Sequence, residues 1–220
     1  MIHGTYFSDL LCIWAYVAEE RTAAIRRTFG DEVQLRHRFC NVFGDAHLKI
    51  STGWRDRGGF AGYAKHVAEV AARFPHVRLH PDVWLSVQPT GSMSPHLFLT
   101  AIRLHDERAG SAFFEPAMTA MRNAFFRDAR DMAQREVQAA IARSLGLDPA
   151  ALEEFYADGR AHAALAGDYQ EAEKLKIEGS PTLVLNEGRQ RLFGNVGFRV
   201  IEANIRELLR APADDQASWC

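Results

Sequence analysis

The sequence predicts an α/β fold in which a β-α-β opening and a β-β-α close build one sheet around a long helical insertion. Three observations carry this. Val33, Leu35, His37 and Phe39 alternate with Gln34, Arg36, Arg38 and Cys40, which is strand periodicity, directly after a helical stretch. Thr182-Leu183-Val184-Leu185 and Gln190-Arg191-Leu192-Phe193 flank the turn residues Asn186-Glu187-Gly188-Arg189, as the arms of a hairpin do. Most of the sequence between these ends reads as helix.

Taken in order, Thr5 to Leu11 reads as a short strand ending in a turn at Ser8-Asp9. A helix starts just after Cys12, carries Ala18, Ile25 and Phe29 at helical spacing, and closes at Gly30-Asp31. Phe60 to Phe74 is Ala-rich and stops at Pro75. Pro95 to Arg108 has apolar Leu97, Ala101 and Leu104. Phe114 to Leu145 is a strong but interrupted helical stretch that ends at Gly146. Asp148-Pro149 has the form of an N-cap followed by proline at the first helical position, and two shorter helices follow before Gly179. After Gly194-Asn195, the residues Ile201, Ile205, Leu208 and Leu209 mark a closing amphipathic helix. This assigns residues 1–48 and 177–213 to a discontinuous core, 49–176 to an inserted helical subdomain, and 214–220 to a polar, flexible tail. Right-handed crossover lays the first helix over the sheet, with its N-terminus and Cys12 where the first strand ends.

Composition narrows the function classes. Of 220 residues, 26 are Lys or Arg and 28 are Asp or Glu, a formal charge of −2, so no basic surplus exists to hold a nucleic-acid backbone. Arg36 and Arg38 form a local basic pair that suits one small anion. No apolar run approaches the about 20 residues that span a bilayer. Met1 to Phe7 lacks the charged and apolar regions of a signal peptide, which makes the cytoplasm the expected address. The three cysteines, Cys12, Cys40 and Cys220, are too few and too far apart for a disulfide framework. No zinc-like spacing occurs. His76 and His80, followed by Pro81, read as surface histidines, and no metal is expected.

Two elements carry chemistry. Cys12 stands at a strand-to-helix junction, where free N–H groups and the helix dipole stabilise a thiolate and draw the thiol pKa from about 8.5 to 7 or below. A buried cysteine behaving as a small hydrophobe is the competing reading. Glu178-Gly179-Ser180-Pro181-Thr182 puts a proline directly before a strand, a place that suits a cis peptide, although trans is the commoner state. Cys40, near the end of the second strand, finishes on the same sheet edge as Cys12. It is a possible resolving thiol if its Cα lies within about 7 Å, and otherwise a packed edge thiol. Arg122, Arg127 and Arg130, beside Phe125 and Phe126, form a face suited to a partner or an acidic substrate, although a solvated helix face is the commoner reading.

Cys12-Ile13-Trp14-Ala15 after the first strand, together with Gly179-Ser180-Pro181-Thr182 before the third, resembles the DsbA-like branch of the thioredoxin superfamily. That branch includes cytosolic disulfide oxidoreductases, kappa-class glutathione transferases and 2-hydroxychromene-2-carboxylate isomerases. The resemblance covers nearly the whole chain, including Leu48-Lys49-Ile50-Ser51-Thr52-Gly53 as the loop entering the insertion and Leu192-Phe193-Gly194 before the last helix. It implies a thioredoxin-like fold interrupted by a helical insertion. The chain departs from the pattern at one position: family oxidoreductases carry Cys-x-x-Cys, and here Ala15 stands where the resolving cysteine would be. In the kappa and isomerase members the residue matching Cys12 is a serine facing the glutathione sulfur.

Three functions follow. The first is a single-cysteine thiol–disulfide oxidoreductase, with Cys12 as nucleophile, glutathione as co-substrate, Ser180 and Pro181 bordering the substrate and Trp14 as an apolar wall. The second is glutathione-dependent isomerisation or transfer, with Asn195 and Val196 near the γ-glutamyl carboxylate, where kappa members place Ser-Asp. The third is a peptide-binding module without chemistry. Lys49, with Phe43, His47 and Trp54, lies where the chain enters the insertion and lines the expected pocket. The dimeric kappa and isomerase relatives make a homodimer an expectation, and the partner is a thiol or disulfide, small molecule or peptide, with no nucleic acid or membrane.

Overall fold

The computed structural model describes residues 1–210, so Cys220 and the 214–220 tail lie outside the described residues. The sheet holds β1 (Ile2–Ser8), β2 (Val33–Phe39), β3 (Thr182–Leu185) and β4 (Gln190–Phe193) in the order β2-β1-β3-β4. β1 and β2 run parallel with Ser8 opposite Phe39, and β3 runs antiparallel to β1 with Thr182 opposite Phe7. The first crossover is α1 (Ile13–Val17) and α2 (Glu19–Phe29). The chain between β2 and β3 forms α3 (Ala46–Gly53), α4 (Gly59–Ala71), α5 (Met93–Ala109), α6 (Phe114–Arg122), α7 (Arg135–Ser144), α8 (Glu153–Ala157) and α9 (Arg160–Lys174), and α10 (Phe198–Arg210) closes the described chain.

Alternation along the strands sorts side chains onto two faces. Ile2, Tyr6, Leu183 and Leu185 meet Ile25 and Phe29 of α2 and the Ile201, Ile205 and Leu208 stripe of α10. On the other face Phe7, Cys40 and Val184 pack against Ala172 of α9. The largest apolar cluster lies in the helical region and reaches the sheet at Phe39. It joins Leu10, Leu11, Cys12 and Ile13 to Phe43, Trp84, Phe98, Phe125 and Phe126 of the helical region.

Several elements differ from the sequence expectation. β1 begins at Ile2 and stops at Ser8, because the Asp9 carboxylate accepts the Leu11 amide at 2.9 Å and closes a turn over residues expected to be extended. The first helix divides at Ala18, where the Val17 carbonyl is taken by the side chains of Arg21 and His76. Leu48–Gly53 is not a loop. It belongs to α3, whose N-cap Asp45 accepts the Leu48 amide at 2.8 Å. The long helical stretch is interrupted, as expected, by a π-helical turn over Asn123–Arg127. Asp148 caps the following turn with Pro149 at its start, but α9 runs for 15 residues rather than being short.

The basic pairs also change role. Arg122 is buried, not solvated. Its guanidinium pairs with Glu19 at 2.9 Å and donates to Ser8 Oγ at 3.0 Å, beneath the end of β1. Arg127 and Arg130 remain exposed. Arg38 is not free for an anion, because Asp168 and Glu171 of α9 hold it at 2.8 and 3.2 Å.

Candidate active site

The site is built on the four residues between β1 and α1. Asp9 is fully buried, and its carboxylate accepts from four groups: the Leu11 amide, the Val42 and Phe43 amides at 3.1 and 2.8 Å, and Ser92 Oγ at 2.8 Å. One side chain therefore ties the turn to the segment after β2 and to the start of α5. His96 of α5 continues the lattice. Its ring stacks on Phe39 at 4.3 Å and its Nε2 accepts the Leu10 amide at 3.2 Å. That leaves the ring proton on Nδ1, which donates to Tyr169 Oη at 2.8 Å. Burial holds the His96 pKa down to about 4, so the ring is neutral near pH 7.

Cys12 occupies the N-cap of α1 in an extended conformation. Its Sγ–H donates to the Ser180 carbonyl at 3.1 Å, while Ser180 Oγ accepts the Asp9 amide at 2.8 Å. The Ser180–Pro181 peptide is cis, as the placement of the proline suggested. Two bonds thus fasten the loop before β3 to the turn after β1 across 168 and 171 residues of chain. From Pro181 the contact passes onward: the Gly194 amide donates to the Pro181 carbonyl at 2.8 Å, and the Val196 amide to Gly194 at 2.9 Å.

The expected thiolate is not what this environment favours. Burial is the largest influence and pushes the Cys12 thiol above its ordinary value, and the nearby Asp9 charge adds to it. Hydrogen bonds from Ser180 and from the amides of Ala15 and Trp14 act the other way and are outweighed. Two features explain the outcome: α1 has five residues, too short for much dipole, and Cys12 is 6% exposed.

Of the other anticipated residues, Trp14 is half-buried, edge-on to Phe74 at 6.2 Å and under the Arg73 guanidinium at 5.2 Å. Cys40 is buried and free, its amide donating to the Ser8 carbonyl at 3.2 Å, and burial raises its pKa strongly. Lys49 is exposed with Nζ 5.3 Å from the Phe43 ring, one side chain removed from the Asp9 turn. His47 is exposed beside Phe60, and Trp54 is half-buried between Tyr63 and His66. Asn195 is exposed, whereas Val196 lines a narrow pocket with Pro181, Arg21 and Gly194. The structure thus brings Cys12 and Ser180 into direct contact with Pro181 next in the chain, places Val196 in a pocket with Pro181, and sets Lys49 over Phe43. Among the described residues no cluster of three His, Cys, Asp or Glu groups is arranged for a metal, and no helix is long and apolar enough to cross a membrane.

Comparison with known proteins agrees with this fold. The family model for the DSBA-like thioredoxin domain matches residues 5–206. The chain belongs to that family. A putative protein disulfide isomerase from Nitrosomonas europaea shares the DSBA-like fold with TM-score 0.78 and 15% identity, over 96% of this chain and 99% of that one. The cytosolic disulfide reductase DsbM from Pseudomonas aeruginosa, in a structure with GSH, gives TM-score 0.65 and 22% identity over 94% and 99%. A 2-hydroxychromene-2-carboxylate isomerase gives 0.65 and 20% over 98% and 100%. At these identities the likeness is one of fold. No curated protein matches the sequence.

Sequence reasoning gave Asp9, Ser92, His96 and Arg122 no part in the site. The signal for Asp9 was present, since an acid three positions before Cys12 and flanked by Leu10-Leu11 has to be either exposed or satisfied. Ser92, His96 and Arg122 gave none, because only the packing of α5 and α6 brings them to the turn.

Proposed function

We propose that the protein is a thiol–disulfide oxidoreductase that works through Cys12 alone and is coupled to glutathione in the cytoplasm. The observation that carries this is the Cys12 sulfur against the Ser180 carbonyl of the cis Ser180–Pro181 peptide, with Ala15 where a second thiol would stand. In its ionised form Cys12 attacks one sulfur of a substrate disulfide. A mixed disulfide forms and the other half leaves as a thiolate. Glutathione thiolate then attacks the substrate-side sulfur of that adduct, returning Cys12 as thiolate and forming the glutathione–substrate disulfide. The Ala15 and Trp14 amides favour the ionised sulfur during this exchange. Ser180 and Pro181 border the substrate, Lys49 and Val196 flank it, and the insertion over 49–176 sets substrate choice. The similarity to DsbM, described as cytosolic and solved with GSH, supports both the coupling and the compartment.

One observation favours a second reading. A buried, neutral Cys12 that donates a hydrogen bond can play the part of a serine hydroxyl, orienting a glutathione sulfur for isomerisation or transfer. Intact-mass analysis after exposure to oxidised glutathione separates the two. The redox reading expects a single glutathione adduct at neutral pH, absent from Cys12→Ser and reversed by free glutathione. A Cys12 that reacts no faster than a model thiol sinks it and leaves glutathione-dependent isomerisation. A Cys12–Cys40 disulfide replaces the single-cysteine scheme with a dithiol one.

A further inference from the structure

Beside Cys12 lies a group of cationic and aromatic side chains that the exchange reaction above does not use. Trp14 meets Phe74 edge-on at 6.2 Å, and the Arg73 guanidinium sits 5.2 Å over the Trp14 ring. Arg21 lies 5.9 Å from the Phe74 centroid, and the His76 ring 6.0 Å from it. Arg21 Nη1 and His76 Nε2 converge on the Val17 carbonyl at 3.3 and 3.1 Å. Trp14, Arg21 and Phe74 are half-buried, while Arg73 and His76 are exposed.

These cations have no carboxylate partner among the described residues. Glu19 is taken by Arg122 at 2.9 Å and Glu20 by Arg27 at 2.6 Å. Glu69, one turn before Arg73, makes no ion pair with it, and its influence falls on His66. Arg21 is the most exceptional of the group. It is partly desolvated, which lowers its pKa, and it lines the narrow pocket that also holds Pro181 and Val196. A half-buried guanidinium has lost hydration without gaining a counter-ion, so an anion arriving there recovers what burial cost.

Helical rise sets the scale of the anion. Val17, which both Arg21 and His76 touch, is five residues along α1 from Cys12, or about 7.5 Å at 1.5 Å per residue. An extended peptide covers that span in two or three residues.

We propose that the patch of Trp14, Arg21, Arg73, Phe74 and His76 receives the carboxylates of an acidic disulfide substrate whose negative groups lie within two or three residues of the reacting sulfur. This rests on the oxidoreductase reading. The exchange step is the one given above: Cys12 thiolate displaces one half of the disulfide as a thiolate, and the patch holds the acidic half.

Two chromogenic disulfides test it, the dianionic 5,5′-dithiobis(2-nitrobenzoate) and the neutral 4,4′-dithiodipyridine, with Cys12→Ser as the blank. The paired substitution Arg21→Gln and Arg73→Gln is expected to cut the Cys12-dependent rate with the dianion by roughly fivefold and to leave the neutral reagent nearly unchanged. Arg21→Lys with Arg73→Lys keeps most of the rate. Salt raised to about 0.5 M reproduces the loss in the unaltered protein, which needs no variant to fold. Equal effects on both reagents, or no effect on either, overturn the proposal while leaving the redox chemistry intact. If Cys12 does not react even with the neutral reagent, the oxidoreductase reading fails and takes the proposal with it.

Discussion

Asp9 and Asp168 are both completely buried carboxylates, and they are compensated in opposite ways. Asp168 on α9 faces two arginines, with Arg38 at 2.8 Å and Arg103 at 2.9 and 3.1 Å, and it also accepts the Phe39 amide at 3.2 Å. Arg103 reaches further, to the His37 carbonyl on the open edge of β2 at 3.0 Å. This cluster neutralises its charge and pins helix to sheet. Asp9 faces only neutral donors, three amides and a serine hydroxyl, with a neutral imidazole 3.8 Å away. Its charge is hydrogen-bonded but not cancelled, and it is felt at Cys12. The contrast separates a carboxylate that holds the fold from one whose charge also raises the pKa of the Cys12 thiol.

The largest effect should come from Asp168→Ala, which strands two cations in the α9–sheet interface. A loss of about 3–4 kcal/mol in unfolding free energy is expected from urea titration. A loss below about 1 kcal/mol would mean that the arginines find water or other partners and that the two carboxylates are less different than their surroundings suggest.

Next comes the pH response of the Asp9 side. His96 has a folded pKa of about 4 against an ordinary 6.5, so the unfolded chain takes up its proton first on acidification. The stability it supports is complete above about pH 6.5 and declines as pH falls toward 4, by about 3 kcal/mol in all. His37, held down to about 3 by burial, carries the decline further in the same direction. His96→Gln should flatten the upper part of that curve in urea titrations at pH 7 and 4.5. An unchanged slope would remove His96 from the acid response.

The smallest effect on the fold, and the most informative for chemistry, is Asp9→Asn. A cost of about 1–3 kcal/mol is expected from the imperfect acceptor it leaves. Removing the charge should also lower the Cys12 pKa, read as the thiolate absorbance titration that Cys12→Ser abolishes. Asp168→Asn should leave that titration where it was. A Cys12 pKa that rises or stays fixed in Asp9→Asn would show that Asp9 acts on the turn alone.

Some of this was legible in the linear sequence. Period-two alternation from Val33 to Phe39, the hairpin around Asn186-Glu187-Gly188-Arg189, and the Ile201, Ile205, Leu208 stripe are local patterns, and local geometry dictates them. The junction at Cys12 and the proline at 181 are equally local, which is why the N-cap cysteine and the proline before β3 are legible in the sequence. Helix ends and side-chain fates were not. Whether Cys12 is a thiolate depends on how much water remains at the α1 N-cap, and whether Arg122 is solvated depends on where α6 lands. Both are settled by contacts between residues far apart in the chain: Cys12 with Ser180, Asp9 with Ser92, Arg122 with Ser8 and Glu19. The sequence determined the order of strands and helices and the place of Cys12 at the β1–α1 junction. Only the tertiary structure decided that the Cys12 thiol is held above its ordinary pKa, because desolvation is a property of everything that packs around an atom and not of its neighbours along the chain.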